Sequence, residues 1–329
     1  MTHAEATKQA TMAGGFEAEE TLPLEFFDEI TELRVRKPGI GEQEARLRKR
    51  RKQLAPDGKL VLVAVDHPAR GVTQIRKDEL AMGDRYQLLA RTRRVFDDPN
   101  MDGIVATADI LDELLFLAHL ERKKKRESFL DGRLLVGTMN RGGLAGAAFE
   151  MDDSFTGMSA ERMAQLRCDG GKMMFRLDYS DAGSGKTIVA CVEAMNDLRR
   201  RKLPVFLEAL GMEKKPGGGY HSLNNAATLI KNCGIAAGLS DSSLNVWLKL
   251  PYCADFDKVG RSTTLPILLL GGPARESQSE TLADFAAGMA SSPRVRGAII
   301  GRNLLFPVEG DPLPMCKALT ELVHGRAKD

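Results

Sequence analysis

Short apolar runs alternate with helix-forming stretches along the chain after Gly58. The runs are largely apolar rather than alternating, as expected of parallel strands that are covered on both faces. They are KLVLVAVD (59–66), DGIVATAD (102–109), RLLVGTMN (133–140), KMMFRLD (172–178), LPVFLEAL (203–210), LNVWLKLP (244–251), LPILLLGG (265–272) and RGAIIGR (296–302). This pattern predicts one α/β domain, a (β/α)8 TIM barrel over residues 59–329, with a doubly wound open sheet as the alternative.

Residues 1–58 precede the first run and form a predicted N-terminal extension. The first 20 residues or so lack periodicity, which predicts disorder, and residues 23–54 have a helical pattern that ends in a basic stretch at 46–52. No aromatic residues interleave with this stretch, so we interpret it as a solvated helix face or a subunit contact. A nucleic-acid patch is the alternative.

The charges of the chain nearly cancel, with 47 basic and 45 acidic residues, so no overall field favours nucleic acid or a membrane. The five cysteines lack metal-clamp or redox spacing, as is typical of a reducing compartment. The start of the chain is polar, and no run approaches the roughly 20 apolar residues of a membrane span. We therefore expect a cytoplasmic homo-oligomer without nucleic-acid or membrane partners.

Polar residues fall at the carboxyl ends of the predicted strands, where barrels of this kind carry their active sites. The most informative is Lys249, which lies inside the otherwise apolar strand VWLKLP. Burial and nearby positive charge lower the pKa of an ammonium group, and the resulting neutral amine can attack a carbonyl. The alternative is a lysine paired with a carboxylate at the barrel rim.

Lys172, Met174 and Arg176 share one face of the fourth strand, so both cations can point into the barrel. There they would lower the pKa of Lys249 and favour an anionic substrate. Alternatively, one of them faces a helix as a salt-bridge partner. Spacing alone also leaves Lys172 open as the covalent residue in place of Lys249.

Asp66 and Glu208, at the ends of the first and fifth strands, are candidates for proton transfer, a role worth about 10²–10⁴-fold in rate. Either carboxylate could instead be a structural counter-ion. Further strand-end residues are candidates for substrate binding, namely His67, Arg70, Asn140, Arg141 and Arg176.

Glycines at the ends of the last two strands predict a phosphate site formed by Gly271, Gly272, Gly301 and Arg302. Barrels often bind phosphate in these two loops, although plain turns also use glycine. A second glycine run, at 217–219, follows the fifth strand and is either a mobile lid or a flexible surface loop. The five histidines are scattered, so we expect neither a metal nor a cofactor.

With these residues in place, the sequence resembles the class I (Schiff-base) aldolase superfamily over roughly residues 59–320. That group includes deoxyribose-phosphate, tagatose-bisphosphate and archaeal-type fructose-bisphosphate aldolases. The matching pieces are VDHPARG with Asp66, DGGKMMF with Lys172, PVFLEAL with Glu208, NVWLKLP with Lys249, and the glycines of LLLGG and IIGRN. The resemblance implies that Lys249 forms the Schiff base.

Three longer segments, VAVDHPARG, MNRGGLAGAAFEMDD and DGGKMMFRLD, resemble an aldolase branch associated with bacterial inositol breakdown. This narrower resemblance implies that 2-deoxy-5-keto-gluconate 6-phosphate is cleaved to dihydroxyacetone phosphate and malonic semialdehyde. We therefore expect a metal-independent aldolase that acts on a phosphorylated sugar. The alternatives are a barrel isomerase or epimerase without a covalent lysine, a transaldolase-like or condensing enzyme, and a non-catalytic sugar-phosphate binding protein.

Overall fold

Eight parallel strands close into a barrel in the computed structural model of the chain, which describes residues 15–124 and 127–325. A ninth, short strand, β6, pairs antiparallel with the end of β5. The strands are β1 (Leu60–Val65), β2 (Gly103–Ala106), β3 (Leu134–Thr138), β4 (Gly170–Leu177), β5 (Val205–Lys214), β6 (Tyr220–Ser222), β7 (Val246–Pro251), β8 (Ile267–Leu270) and β9 (Val295–Ile300). Each barrel strand falls on one of the eight apolar runs, so the predicted TIM barrel is confirmed.

Each barrel strand pairs with its neighbours in chain order, and β1 pairs with β9 to complete the ring. The helices are α1 (Ala18–Thr21), α2 (Leu24–Arg36), α3 (Ile40–Leu47), α4 (Arg85–Val95), α5 (Ala108–Lys123), α6 (Ala160–Gln165), α7 (Gly183–Arg200), α8 (Ala226–Ala237), α9 (Phe256–Arg261), α10 (Gln278–Ser291), α11 (Arg302–Leu305) and α12 (Pro312–His324). Within the two described ranges, no helix is long and apolar enough to cross a membrane.

The strands are buried on both faces, which explains their continuous apolar character. Alternate residues point into the barrel, where they form an inner cluster of Leu60, Leu62, Ala64, Val105, Leu134, Val136, Phe206, Leu268 and Ile299. This cluster fills the barrel towards the amino ends of the strands. The next inward positions, nearer the carboxyl ends, carry the polar residues of the site.

The extension covers the amino-terminal end of the barrel, where Leu54 and Ala55 pack against the inner cluster. Residues 1–14, to which most of the disorder prediction applies, lie outside the described residues. The prediction of disorder up to about residue 20 does not hold for the part described, because α1 begins at Ala18 and the side chain of Phe16 is buried.

The basic stretch at 46–52 mostly follows the helices rather than lying on one, because α3 ends at Leu47. Arg48 is buried, with its Nη2 3.0 Å from Asp169 Oδ2 and its Nη1 2.6 Å from the carbonyl oxygen of Arg133. Arg51 Nη1 lies 2.6 Å from Asp102 Oδ1. These arginines bind the base of the barrel, so the interpretation of the whole stretch as a solvated helix face is wrong.

His324 joins the last helix to the extension, with Nδ1 2.7 Å from Asp57 Oδ2 and Nε2 3.0 Å from Asp102 Oδ2. Burial would lower the pKa of His324, but the hydrogen bonds to Asp102 and Asp57 raise it above its usual value. The pKa of His324 is therefore higher in the folded protein than in the unfolded chain, where it is about 6.5. The resulting stabilisation is fully present below about pH 6.5 and is lost as the pH rises through the pKa of His324 in the folded protein.

We therefore predict that His324→Gln costs about 1 kcal/mol more in the free energy of unfolding at pH 6 than at pH 9. Urea unfolding of the variant and the wild type at both pH values measures this difference. His119→Gln is the matched control, since burial lowers the pKa of His119 and gives no such gain at low pH. An equal loss at both pH values for His324→Gln would contradict the prediction.

Candidate active site

Two lysines and two carboxylates meet at the carboxyl-terminal end of the barrel interior. Asp66 follows β1, Lys172 lies on β4, Glu208 on β5 and Lys249 on β7. The strand register aligns Glu208 with Lys249 and places Lys172 one inward position closer to the amino-terminal end. Four residues that are distant in sequence thus meet inside the barrel, at neighbouring levels near the carboxyl ends of the strands.

The four side chains form a continuous hydrogen-bonded network. Lys172 Nζ lies 2.8 Å from Asp66 Oδ2 and 2.8 Å from Glu208 Oε2. Lys249 Nζ lies 3.0 Å from the same Glu208 oxygen. Lys172 is therefore held by two carboxylates, whereas Lys249 shares one carboxylate with Lys172.

This difference in partners separates the two lysines electrostatically. Burial would lower the pKa of Lys172, but Asp66 and Glu208 outweigh burial and raise it. Burial lowers the pKa of Lys249, and the neighbouring charge of Lys172 lowers it further against the opposing effect of Glu208. Lys172 thus stays an ammonium group, and Lys249 is the better source of a neutral amine.

The two carboxylates stay ionised in spite of their burial. Burial would raise the pKa of Glu208, but Lys172 and Lys249 lower it to about 2. Burial would likewise raise the pKa of Asp66, and Lys172 holds it well below its usual range. At neutral pH each is therefore a proton acceptor, and the carboxylate of Glu208 also faces the cavity described below.

His67 is a neutral imidazole at the edge of this network. Burial, with the positive charges of Arg302, Lys249 and Lys172, lowers its pKa to about 3 against the effect of Asp66. Its Nδ1 lies 3.8 Å from Asp66 Oδ1 and makes no hydrogen bond among the described residues. The ring packs on Gly301, where a Cβ atom would lie 2.4 Å from His67 Cε1, so this position requires glycine.

A cavity of about 480 Å³ opens above the network. All four residues of the predicted phosphate site line it, and the Cβ direction of Gly272 faces open space. Asn303 shapes this side of the cavity, since its Nδ2 donates to the carbonyl oxygens of Gly271 and Pro273 at 2.8 Å each. The loops after β8 and β9 are thereby joined into one wall.

The predicted substrate-binding residues divide between the cavity and its surroundings. His67 and Arg70 line the cavity, whereas Asn140 lies behind the wall and donates to Asp153 Oδ2 and the Met174 carbonyl oxygen at 2.8 Å each. Arg141 is exposed, and its Nη1 lies 3.3 Å from the Ala69 carbonyl oxygen. Arg176 points inward but is bound to Glu150, with Nη1 2.7 Å from Oε1.

A hairpin that the sequence pattern did not predict forms another wall. β5 runs past the barrel rim and pairs with β6, with Lys214 opposite Tyr220. Its turn brings Lys215, Gly218 and Gly219 to the cavity. The glycine run at 217–219 therefore borders the cavity, which is the position that the lid interpretation requires.

The arrangement supplies an amine of lowered pKa, ionised carboxylates within reach of it, and a cavity wall that carries the four residues predicted to bind phosphate. These are the groups that iminium chemistry on a phosphorylated carbonyl compound requires. In the part of the chain that the structure describes, no three His, Cys, Asp or Glu side chains are grouped as a metal site would need.

Comparison with known proteins places the chain in a family. Residues 58–318 match the Cgl0159-like family. The crystal structure of Cgl0159 from Corynebacterium glutamicum (Brevibacterium flavum) is 36% identical, covers 91% of this chain and 97% of its own, and superimposes with a TM-score of 0.84. The chain belongs to the Cgl0159-like family. No curated protein sequence matches it.

More distant structures share the fold of this Cgl0159-like chain. An archaeal fructose-1,6-bisphosphate aldolase, with its catalytic lysine covalently bound to the carbinolamine intermediate of its substrate, is 19% identical with a TM-score of 0.58. It covers 87% of this chain and 100% of its own. A Schiff-base-forming fructose-1,6-bisphosphate aldolase is 20% identical, covers 86% and 99%, and has a TM-score of 0.57. At these identities the likeness extends to the fold alone.

Sequence reasoning missed Glu150, Asn303 and Tyr220 as residues of the site. Glu150 and Tyr220 line the cavity, and Asn303 joins the loops after β8 and β9. Asn303 stands directly after Arg302 in IIGRN. Its place next to a residue predicted to bind phosphate was the one sequence feature that could have indicated its role. Glu150 lies in a long loop and Tyr220 in a short hairpin, where no periodicity indicates the direction of a side chain.

Proposed function

We propose that this protein is a class I aldolase that cleaves or forms a carbon–carbon bond in a phosphorylated keto-sugar through a Schiff base on Lys249. One observation carries the proposal: Glu208 contacts two buried lysines whose pKa values move in opposite directions. An amine of lowered pKa held against an ionised carboxylate is the arrangement that a lysine nucleophile needs.

In the proposed reaction, neutral Lys249 attacks the substrate ketone, and the carbinolamine loses water to give an iminium. A carboxylate then accepts the proton of the hydroxyl group on the carbon that will become the aldehyde. The carbon–carbon bond breaks, its electron pair moves into the iminium to form an enamine, and the aldehyde leaves. Return of a proton to the enamine carbon and addition of water release the ketone and restore Lys249.

Glu208 is the better placed of the two carboxylates for this proton transfer. It lines the cavity and contacts both lysines, whereas Asp66 lies beneath the cavity against Lys172. Lys172 remains protonated, which keeps the pKa of Lys249 low and supplies a hydrogen-bond donor to the network. The walls at Gly271–Gly272 and Gly301–Arg302 hold the phosphate group.

Within this proposal, 2-deoxy-5-keto-gluconate 6-phosphate is our candidate substrate, with dihydroxyacetone phosphate and malonic semialdehyde as products. The archaeal aldolases with the same fold act on fructose 1,6-bisphosphate, and one of them holds its substrate on a catalytic lysine. Because that likeness extends to the fold alone, the assignment here depends on Lys249 and its surroundings.

The decisive experiment is sodium borohydride reduction in the presence of dihydroxyacetone phosphate, followed by intact-mass measurement and peptide mapping. We expect one stable adduct per chain, on Lys249. An adduct on Lys172 would keep the reaction class and move the nucleophile to β4. No adduct, with phosphate ligands still bound, would overturn the proposal and favour an isomerase or a sugar-phosphate binding protein.

A further inference from the structure

Arg70 faces the cavity with few partners for its positive charge. Its Nη1 lies 3.2 Å from the sulfur atom of Met174, and its Nη2 lies 4.0 Å from Glu150 Oε1. Its Nε is buried and makes no hydrogen bond among the described residues. A thioether is a weak acceptor, so the guanidinium group of this side chain, which is 20% exposed, lacks among the described residues the close oxygen partner that such a group normally has.

The head of Arg70 lies across the barrel mouth from the proposed phosphate site. Although Arg70 belongs to the loop after β1, its guanidinium contacts Met174 on β4 and approaches Glu150 in the loop after β3. In the closed ring of eight strands, β4 stands four positions from β9, and β3 stands four positions from β8. The glycines of the proposed phosphate site, at the ends of β8 and β9, therefore lie on the opposite side of the ring, and the side chain of Arg302 reaches from there to where its charge and that of Arg70 interact.

The contacts of Arg176 and Glu150 show that Arg70, rather than Arg176, remains available for a ligand. Arg176 is already occupied, since its Nη1 donates to Glu150 Oε1 at 2.7 Å and its Nη2 donates to the Glu150 carbonyl oxygen. Glu150 Oε2 in turn accepts the backbone N–H of Gly146 at 2.9 Å. Glu150 is thus engaged by Arg176 and by its own loop, and Arg70 is left at the cavity surface.

We infer that Arg70 binds a carboxylate group at the end of the substrate distal to the phosphate, so that the substrate is anionic at both ends. This inference rests on the proposed function and deepens it, because it names Arg70 as the residue that selects substrates with an acid group on the aldehyde-forming half. A planar guanidinium suits a carboxylate through paired hydrogen bonds. A dianionic phosphate fits this position less well, because Arg70 is the cation nearest to it and Glu150 stands 4.0 Å from that guanidinium group.

Two unreactive ligands of equal carbon chain length test the subsite by calorimetry. Both 6-phosphogluconate and glucitol 6-phosphate carry a phosphate at one end, and they differ at the other by a carboxylate in place of a hydroxymethyl group. Neither has a ketone, so binding does not depend on the Schiff base. We expect the wild type to bind 6-phosphogluconate about 10- to 100-fold more tightly, the effect of one charge-assisted hydrogen-bonded pair.

Arg70→Gln should bring this affinity ratio close to one, and Arg70→Lys should restore part of it. Arg302→Gln should weaken both ligands by a similar factor, and Arg36→Gln, an exposed arginine of α2, should change neither. An unchanged ratio in Arg70→Gln, or no preference in the wild type, would overturn the inference. Borohydride trapping with dihydroxyacetone phosphate, which lacks the distal half, reports separately on the proposed function and should persist in folded Arg70→Gln.

Discussion

Lys249→Met will remove the borohydride-trapped adduct and lower kcat by roughly 10⁴-fold or more, the scale of loss seen when a covalent nucleophile is deleted. Methionine keeps most of the volume and the flexible chain of lysine, so the barrel should stay packed. The amine is lost, however, and with it the only route to the iminium that the network offers in our mechanism. Rapid-quench kinetics with the candidate substrate, together with intact-mass measurement, checks both effects.

Lys172→Met is the matched control for this prediction. In the wild type, the ammonium group of Lys172 helps to lower the pKa of Lys249. Removal of that group should therefore raise the pKa of Lys249, so that the reactive, neutral amine forms only at higher pH. We therefore expect the adduct on Lys249 to form in Lys172→Met at pH 9 and to decrease at pH 7. An adduct that survives in Lys249→Met and disappears in Lys172→Met at both pH values would show that the two roles are exchanged.

The barrel and the core of its site could be predicted because both follow from local periodicity. Apolar runs of strand length identify β1 to β5 and β7 to β9, and alternation along a strand decides which side chains point inward. Lys172 and Lys249 are visible because a charged residue inside an apolar strand contrasts with its neighbours. The carboxyl end of each strand then locates the site, since all parallel strands end on the same face.

The partners of these residues could not be predicted, because they lie in segments without a period. Arg176 looked like a second free cation near the substrate, yet Glu150 of the long loop after β3 neutralises it. Arg48 and Arg51 looked solvated for the same reason, since their acceptors, Asp169 and Asp102, become neighbours only when the barrel closes. Sequence spacing predicts the face of a strand, but a pairing between distant loops depends on the folded chain.

Glu208→Gln will lower the plateau of kcat by about 10²–10⁴-fold and move the acidic limb of the pH profile to lower pH. The plateau falls because glutamine cannot accept the hydroxyl proton. The limb moves because Lys249 reacts as the neutral amine, so the rate rises with pH through the pKa of Lys249. Glu208 holds that pKa up against burial and Lys172, so the loss of its charge lowers the pKa further.

Asp66→Asn separates this effect from a general loss of negative charge in the network. Asp66 hydrogen-bonds to Lys172, and it influences the pKa of Lys249 less than Glu208 does. We therefore expect the acidic limb of the Asp66→Asn profile to shift less, and the plateau of its kcat to fall less, than in Glu208→Gln. A profile of kcat against pH for the three proteins decides the matter. An unmoved limb, or a shift to higher pH, in Glu208→Gln would contradict the prediction, and Lys249 would lose its place as the group that sets the pH dependence.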